Sequence, residues 1–271
     1  MRIPIEFDNK GKLILGIFHV ANYQLNVPLV LIMCYGLNGH RVVQHRMAVK
    51  FGERLEENGV NLVRFDYRNV GVSEGNFEKS NIQERVEDII SVCKYVKACF
   101  YNKKIRIVLV GFSDGARNVL KVTEKVSIDG IVLWNPILNI LDEKKSVINL
   151  NSKKLSLHPL YKVPIKKLLG VGMSLEMIRQ IEAENVINVF EKYDKDILLI
   201  FGDNDELSKD VREYLIYKDL INRSNMKYVT INNADHLFNK SEYVEQVFKV
   251  TIDWLLRNLY CQEESNYKNY M

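Results

Sequence analysis

The chain has 271 residues, with 38 basic and 34 acidic side chains (a net charge of +4) and 47% hydrophobic residues. That length suits one large domain with an insertion, and the apolar content can fill a substantial core. The lysines are spread rather than gathered into basic blocks with interleaved aromatics, which argues against a nucleic-acid partner, and no apolar run reaches the roughly 18 residues of a membrane span.

The N-terminal stretch Met1-Arg-Ile-Pro-Ile-Glu-Phe-Asp8 carries acids where a signal peptide needs its apolar segment. A soluble, cytoplasmic protein is therefore expected. Cys34, Cys93, Cys99 and Cys261 form no Cys-x-x-Cys pair and no zinc-like cluster with histidine. They read as buried or free thiols in a reducing compartment. Monomer and homodimer both stay open.

Residues 3–7 and 12–20 read as two strands joined by the turn Asn9-Lys10-Gly11. Val27–Cys34 is a continuous apolar run and reads as a buried strand. Val43, Met47, Phe51 and Leu55 recur every four residues, with Gly59 as a stop, which predicts an amphipathic helix. Strand Asn61–Asp66 follows. Ile82, Val86, Ile89, Ile90 and Cys93 then mark another helix face. Ile105–Val110 predicts a strand, Ala116–Glu124 a helix and Gly130–Trp134 a strand.

From about Pro136 to Phe190 the regularity lapses into Lys-rich stretches and short amphipathic pieces such as Leu175–Ile181. Alternation resumes with strand Ile197–Phe201, a helix near Lys209–Ile221, strand Lys227–Ile231 and a last helix Tyr243–Leu259. Buried strands alternating with amphipathic helices predict an α/β fold. Its sheet is mostly parallel and covered on both faces, with the first hairpin adding antiparallel strands at one edge. The expected division is core 1–135, insertion 136–190, core 191–261 and a polar tail 262–271.

Ligands of such sheets bind at the carboxyl ends of the strands. Gly111-Phe112-Ser113-Asp114-Gly115 lies there, after one predicted strand and before a helix. A Gly-x-Ser-x-Gly turn between strand and helix lifts the serine hydroxyl above the sheet, small flanking residues letting the backbone close up. Ser113 is the expected nucleophile. It needs a base, and His236 follows the last strand in Asn233-Ala234-Asp235-His236. His19 in the hairpin reads as structural, while His40, His45 and His158 have weaker claims on the site. The third group must orient the imidazole and stabilise its charge. In Gly202-Asp203-Asn204-Asp205-Glu206, Asp205 is preferred over Asp203, Glu206 and the nearby Asp210 on the chain order serine, acid, histidine. Two backbone amides should hold a developing oxyanion: that of Asp114 and, in Tyr35-Gly36-Leu37-Asn38-Gly39, that of Leu37.

These stretches, with Arg64-Phe-Asp-Tyr-Arg-Asn-Val-Gly-Val-Ser-Glu-Gly75 and Ala234-Asp-His-Leu-Phe238, resemble the α/β-hydrolase superfamily. The likeness is greatest to its serine aminopeptidase-like and cinnamoyl (feruloyl) esterase-like branch and covers nearly the whole chain. The resemblance implies that Asp66 and Arg68 support the oxyanion loop rather than take part in chemistry, together with Tyr35 and Gly36. It also implies that the insertion is a cap over the site. Three positions depart from the usual pattern: Tyr35 replaces a His, Asn69 replaces a Gly, and Asp114 stands where a neutral side chain is usual. A carboxylate at 114 repels an oxyanion if it faces the site. The expectation is that it points away, favourably placed at a helix N-terminus.

The expected reaction is hydrolysis of a small-molecule acyl or aryl ester through an acyl-enzyme, without cofactor or metal. A thioesterase or acyltransferase, an aminopeptidase-like peptidase, and a ligand-binding relative without turnover remain as alternatives. The insertion offers apolar residues (Leu155, Leu157, Leu160, Leu168, Leu169, Met173) for packing or for an acyl group. Its lysines (Lys153, Lys154, Lys162, Lys166, Lys167) read as a solvated face.

Overall fold

A computed structural model describes residues 1–138, 156–157, 164–168, 171–183 and 185–260. The expectations for Leu155, Leu160, Leu169, Lys153, Lys154, Lys162, His158, Cys261 and the 262–271 tail lie outside those residues, as do the side chains of Leu157, Lys166, Lys167 and Leu168.

The hairpin β1 (Arg2–Asp8) and β2 (Leu13–His19) begins the chain, followed by β3 (Leu29–Cys34), α1 (Met47–Glu57), β4 (Asn61–Phe65), α2 (Ile82–Cys99), β5 (Arg106–Phe112), α3 (Gly115–Thr123) and β6 (Gly130–Trp134). After the insertion come β10 (Asp196–Gly202), α6 (Lys209–Tyr217), β11 (Met226–Ile231) and α7 (Ser241–Trp254). These strands form one eight-stranded sheet in the order β1-β2-β4-β3-β5-β6-β10-β11. β2 runs antiparallel to both β1 and β4, and every pairing from β4 to β11 is parallel.

The central strands β3, β4 and β6 are buried at every position. That burial explains why β3 and β6 show continuous apolar runs rather than alternation, while in β4 it includes the hydrogen-bonded Asn61 and Arg64. The crossover through α1 steps from β3 toward the β1 edge, whereas those through α2 and α3 step toward the β11 edge. Right-handed connections then put α1 on one face and α2 and α3 on the other. Accordingly α1 packs with α7, and α2 with α3. Phe51 of α1 sits 5.0 Å from the rings of both Trp134 and Phe248, joining that helix layer to the sheet. The reversal of strand order at β3 opens a crevice between the carboxyl ends of β3 and β5, the place where such sheets take ligands.

The 136–190 stretch, expected to be irregular, contains a small antiparallel sheet: β7 (Ser156–Leu157), β8 (Pro164–Leu168) and β9 (Val171–Ser174). Its strands are two to five residues long, too short for periodicity to register in the sequence. Among the described residues the stretch also holds α4 (Leu175–Ala183) and most of α5 (Ile187–Lys192), the latter packing on α3. Among the described residues, no helix is long and apolar enough to cross a membrane.

Candidate active site

Ser113 takes a left-handed backbone conformation, φ +56°, at the junction of β5 and α3. A non-glycine residue held there carries of order 1–3 kcal/mol of strain, and its neighbours explain how the turn closes. A Cβ on Gly115 would lie 2.2 Å from the Cys34 carbonyl oxygen of β3, and one on Gly111 2.7 Å from the Ala116 Cα. Only glycine allows α3 to start this close to the sheet. The Ser113 amide donates to the Trp134 carbonyl at 2.9 Å, and its own carbonyl accepts from the Ala116 and Ile137 amides, both at 3.1 Å. The hydroxyl is left free to face the crevice.

His236 lies in the loop after β11. Its Nε2 is 2.8 Å from Ser113 Oγ and its Nδ1 is 2.8 Å from Asp205 Oδ2. A carboxylate only accepts, so Nδ1 carries the proton and Nε2 is the lone-pair nitrogen facing the hydroxyl. Phe112 stacks on the imidazole, with ring centroids 5.9 Å apart. Asp205 is buried. Besides the imidazole, it accepts from the Leu207 amide at 2.9 Å, the Ser208 amide at 3.3 Å and the Ser208 hydroxyl. Burial pulls this carboxyl upward. The hydrogen bonds and the attraction of His236 outweigh burial and hold it below the ordinary carboxylate value.

Of the other acids considered, Asp203 and Glu206 are exposed and Asp210 is half-buried in the first turn of α6. His19 is fully buried between Glu56 (Nδ1, 2.6 Å) and Arg64 (Nε2, 2.7 Å), far along the sheet. His40 is exposed, and its Nδ1 accepts from the Val42 amide. His45 pairs with Asn239 at 2.9 Å.

The Tyr35–Gly39 loop bends against the serine. A Cβ on Gly36 would come within 3.0 Å of Ser113 Cβ and 3.3 Å of its Oγ. The Gly36 carbonyl accepts from the Gly39 amide at 3.1 Å. Because a trans peptide carries its N–H opposite its C=O, the Leu37 amide points out of that turn. Asp66 ties the next segment in place, accepting from the Arg41 amide at 2.6 Å, from the Arg41 guanidinium and from the Val72 amide at 3.0 Å. Arg68 donates twice to Asp88, from its amide at 2.8 Å and its Nε at 2.7 Å, anchoring the same loop to α2.

Asn135 and Ser208 were not singled out by the sequence. Asn135, in a left-handed conformation just past β6, accepts from the Gly202 amide at 2.7 Å and donates to the Asp235 and His236 carbonyls at 3.2 and 2.9 Å. It thereby ties the end of β10 to the histidine loop. The available signal was its position, a polar residue directly after a buried strand and before Pro136.

A family model described as serine aminopeptidase, S33, matches residues 29–196. The chain belongs to this family of α/β hydrolases. A comparison with curated protein sequences finds no significant match. Among solved structures, Est1E from Butyrivibrio proteoclasticus with ferulic acid bound is similar at 22% identity and a TM-score of 0.74, covering 94% of this chain and 99% of that one. The α/β hydrolase GrgF from Penicillium sp. sh18 is similar at 15% identity and a TM-score of 0.70, covering 95% and 98%. The esterase domain of a Rhodothermus marinus protein is similar at 17% identity and a TM-score of 0.67, covering 95% and 98%. These likenesses support the α/β-hydrolase fold.

Within this α/β hydrolase, the three residues that depart from the family pattern are each accommodated. Tyr35 is buried, and its hydroxyl accepts from the Tyr67 amide at 2.8 Å. Asn69 adopts φ +67°, the conformation a glycine would take there and one that asparagine tolerates. Asp114 is buried in an ion pair with Arg117 one turn along α3, Oδ1 to Nε at 2.9 Å.

Replacing Asn135 by Ala removes three hydrogen bonds at about 1 kcal/mol each. A loss of roughly 3 kcal/mol in urea unfolding is expected. The depressed Asp205 carboxyl gives a second prediction. Its stabilisation is complete above the ordinary value of 3.8 and is lost as pH falls through the depressed value. Asp205→Asn cannot titrate, so its unfolding free energy should decline less steeply than the parent's below ~pH 4. Parallel curves would contradict the shift.

Proposed function

We propose that this α/β hydrolase cleaves a small-molecule carboxylic ester through an acyl-enzyme, with Ser113 as nucleophile, His236 as base and Asp205 as the acid that orients the imidazole. The observation that carries the reading is the hydrogen-bonded line Oγ–Nε2 and Nδ1–Oδ2, each 2.8 Å, ending on a strained, half-buried serine. These are the contacts general-base activation of a hydroxyl requires.

In this mechanism Ser113 Oγ attacks the ester carbonyl while its proton passes to His236 Nε2. Asp205, already ionised, stabilises the imidazolium and keeps Nδ1 as donor. The Leu37 and Asp114 amides receive the oxyanion, each contributing roughly 3 kcal/mol to the transition state. The imidazolium then protonates the departing alcohol, and water enters by the same steps in reverse to release the acid. Arg117 pairs with Asp114 through Oδ1 and offsets its charge beside the amide of residue 114, while Oδ2 is buried without a hydrogen-bond partner. The described residues 156–157, 164–168 and 171–183 of the insertion act as a cap. That Est1E holds ferulic acid, a carboxylic acid of the kind ester hydrolysis releases, supports an acyl or aryl ester as substrate. The match to a serine aminopeptidase model favours a second reading, the cleavage of an N-terminal residue from a peptide by the same groups.

A fluorophosphonate probe is expected to label Ser113 in the folded protein, and Ser113→Ala to lower ester kcat by ~10⁴-fold or more. Absence of labelling, or full activity in the variant, would contradict the proposal. Rates on p-nitrophenyl esters against aminoacyl anilides separate the two readings.

A further inference from the structure

Arg85 projects from the first turns of α2 and is fully buried. A buried guanidinium is strongly disfavoured unless it is paired or fully hydrogen-bonded. Among the described residues no carboxylate pairs with it, and its Nη1 has no hydrogen-bonding partner. Of its side-chain contacts, one is to the oxyanion turn and the others are to Ser80 and Tyr67. Nη2 donates to the Leu37 carbonyl at 2.9 Å, Nε donates to Ser80 Oγ at 3.2 Å, and the guanidinium carbon stands 5.3 Å from the centre of the Tyr67 ring. Tyr67 is in turn the residue whose amide is held by Tyr35.

The Leu37 amide is flanked by two peptide planes. The plane that contains it is set by the Gly39-to-Gly36 hydrogen bond. The following plane, which contains the Leu37 carbonyl, is set by Arg85 alone among the described side chains. Releasing that carbonyl frees the rotation next to the amide. The stretch carrying Arg85 is itself pinned from the insertion. Ser174 Oγ donates to the Ser80 carbonyl at 3.0 Å, and Gln180 Oε1 accepts from the Ile82 and Gln83 amides at 2.7 and 3.2 Å.

We propose that Arg85 is a positioning residue for the oxyanion turn, connecting the seat of the insertion on α2 to the Leu37 amide. The proposal rests on the ester-hydrolase reading above and falls with it. Arg85 touches no reacting atom; it restricts the Leu37 peptide so that the amide is aimed before charge develops. The effect therefore belongs to the transition state rather than to substrate binding.

The test compares the parent with Arg85→Met, Arg85→Lys and Ser80→Ala, using a p-nitrophenyl ester and an aryl trifluoromethyl ketone. The ketone carbon bonds to Ser113 Oγ, the hydroxyl proton moves to His236, and the carbonyl oxygen becomes an oxyanion. Arg85→Met is expected to lower kcat and weaken ketone binding by the same factor, about 10- to 100-fold, with KM within about threefold. Arg85→Lys, which still offers a donor to the Leu37 carbonyl, should recover part of both. Unchanged ketone affinity in a folded variant overturns the proposal, as does a rise in KM equal to the loss of ketone affinity. If Arg85→Met does not fold, Arg85→Lys and Ser80→Ala decide: parental ketone affinity in both overturns it. A parent that neither turns over ester nor is labelled at Ser113 refutes the functional reading. An active, labelled parent with indifferent Arg85 variants refutes only the role of Arg85.

Discussion

The close approach of α3 to the end of β3 is the contact on which the rest of the site depends. The backbone at Gly115 leaves no room for a side chain before the Cys34 carbonyl, and Gly111 leaves none before Ala116. Chain packed this tightly can turn only by placing the residue between in a left-handed conformation, and that residue is Ser113. The strain is borne by parallel pairing on both sides. β5 runs in register with β3 through Cys34 opposite Gly111, and with β6 through Trp134 opposite Phe112. The serine is thus set by the most buried part of the sheet rather than by a mobile loop.

The other groups reach it from separate strand ends, and each is fastened by hydrogen bonds of its own. Asp205 is held by residues 207 and 208, just before α6. The His236 loop is held by Asn135 from the end of β6. The Gly36 turn is held by its own closure and by Arg85 from α2. Buried polar contacts of this kind stabilise only when satisfied, so each tie also specifies one arrangement. In the proposed mechanism, preorganisation of this sort lets fixed dipoles meet a developing charge without reorganising.

The parts legible in the sequence are those with local signatures. Continuous apolar runs marked β3, β5 and β6, the four-residue recurrence marked α1, and Gly-x-Ser-x-Gly marked the β5–α3 turn. Boundaries were less legible. β5 runs on to Phe112 because Gly111 and Phe112 still pair with β6, and α6 stops at Tyr217 before Asp219 turns left-handed. The small sheet of the insertion was missed because its strands are short. Asn135 and Arg85 were missed for a different reason: their partners lie 67 and 48 residues away. Tertiary placement gives such residues their meaning. An arginine on the amphipathic stretch of α2 reads as solvated until the fold buries it.

The most direct test of the central claim is the rate at which a fluorophosphonate reacts with Ser113 in Gly36→Ala. The added methyl would sit 3.0 Å from Ser113 Cβ and 3.3 Å from its hydroxyl, so either the serine or the turn must shift by a few tenths of an ångström. Gly36 does not need a left-handed backbone, so folding should be disturbed by no more than about 1–3 kcal/mol. The predicted result is a fall of at least ~10-fold in labelling rate with the fold intact. Labelling at the parental rate in a folded variant would contradict the claim that close backbone packing around Ser113, here against Gly36, positions its hydroxyl.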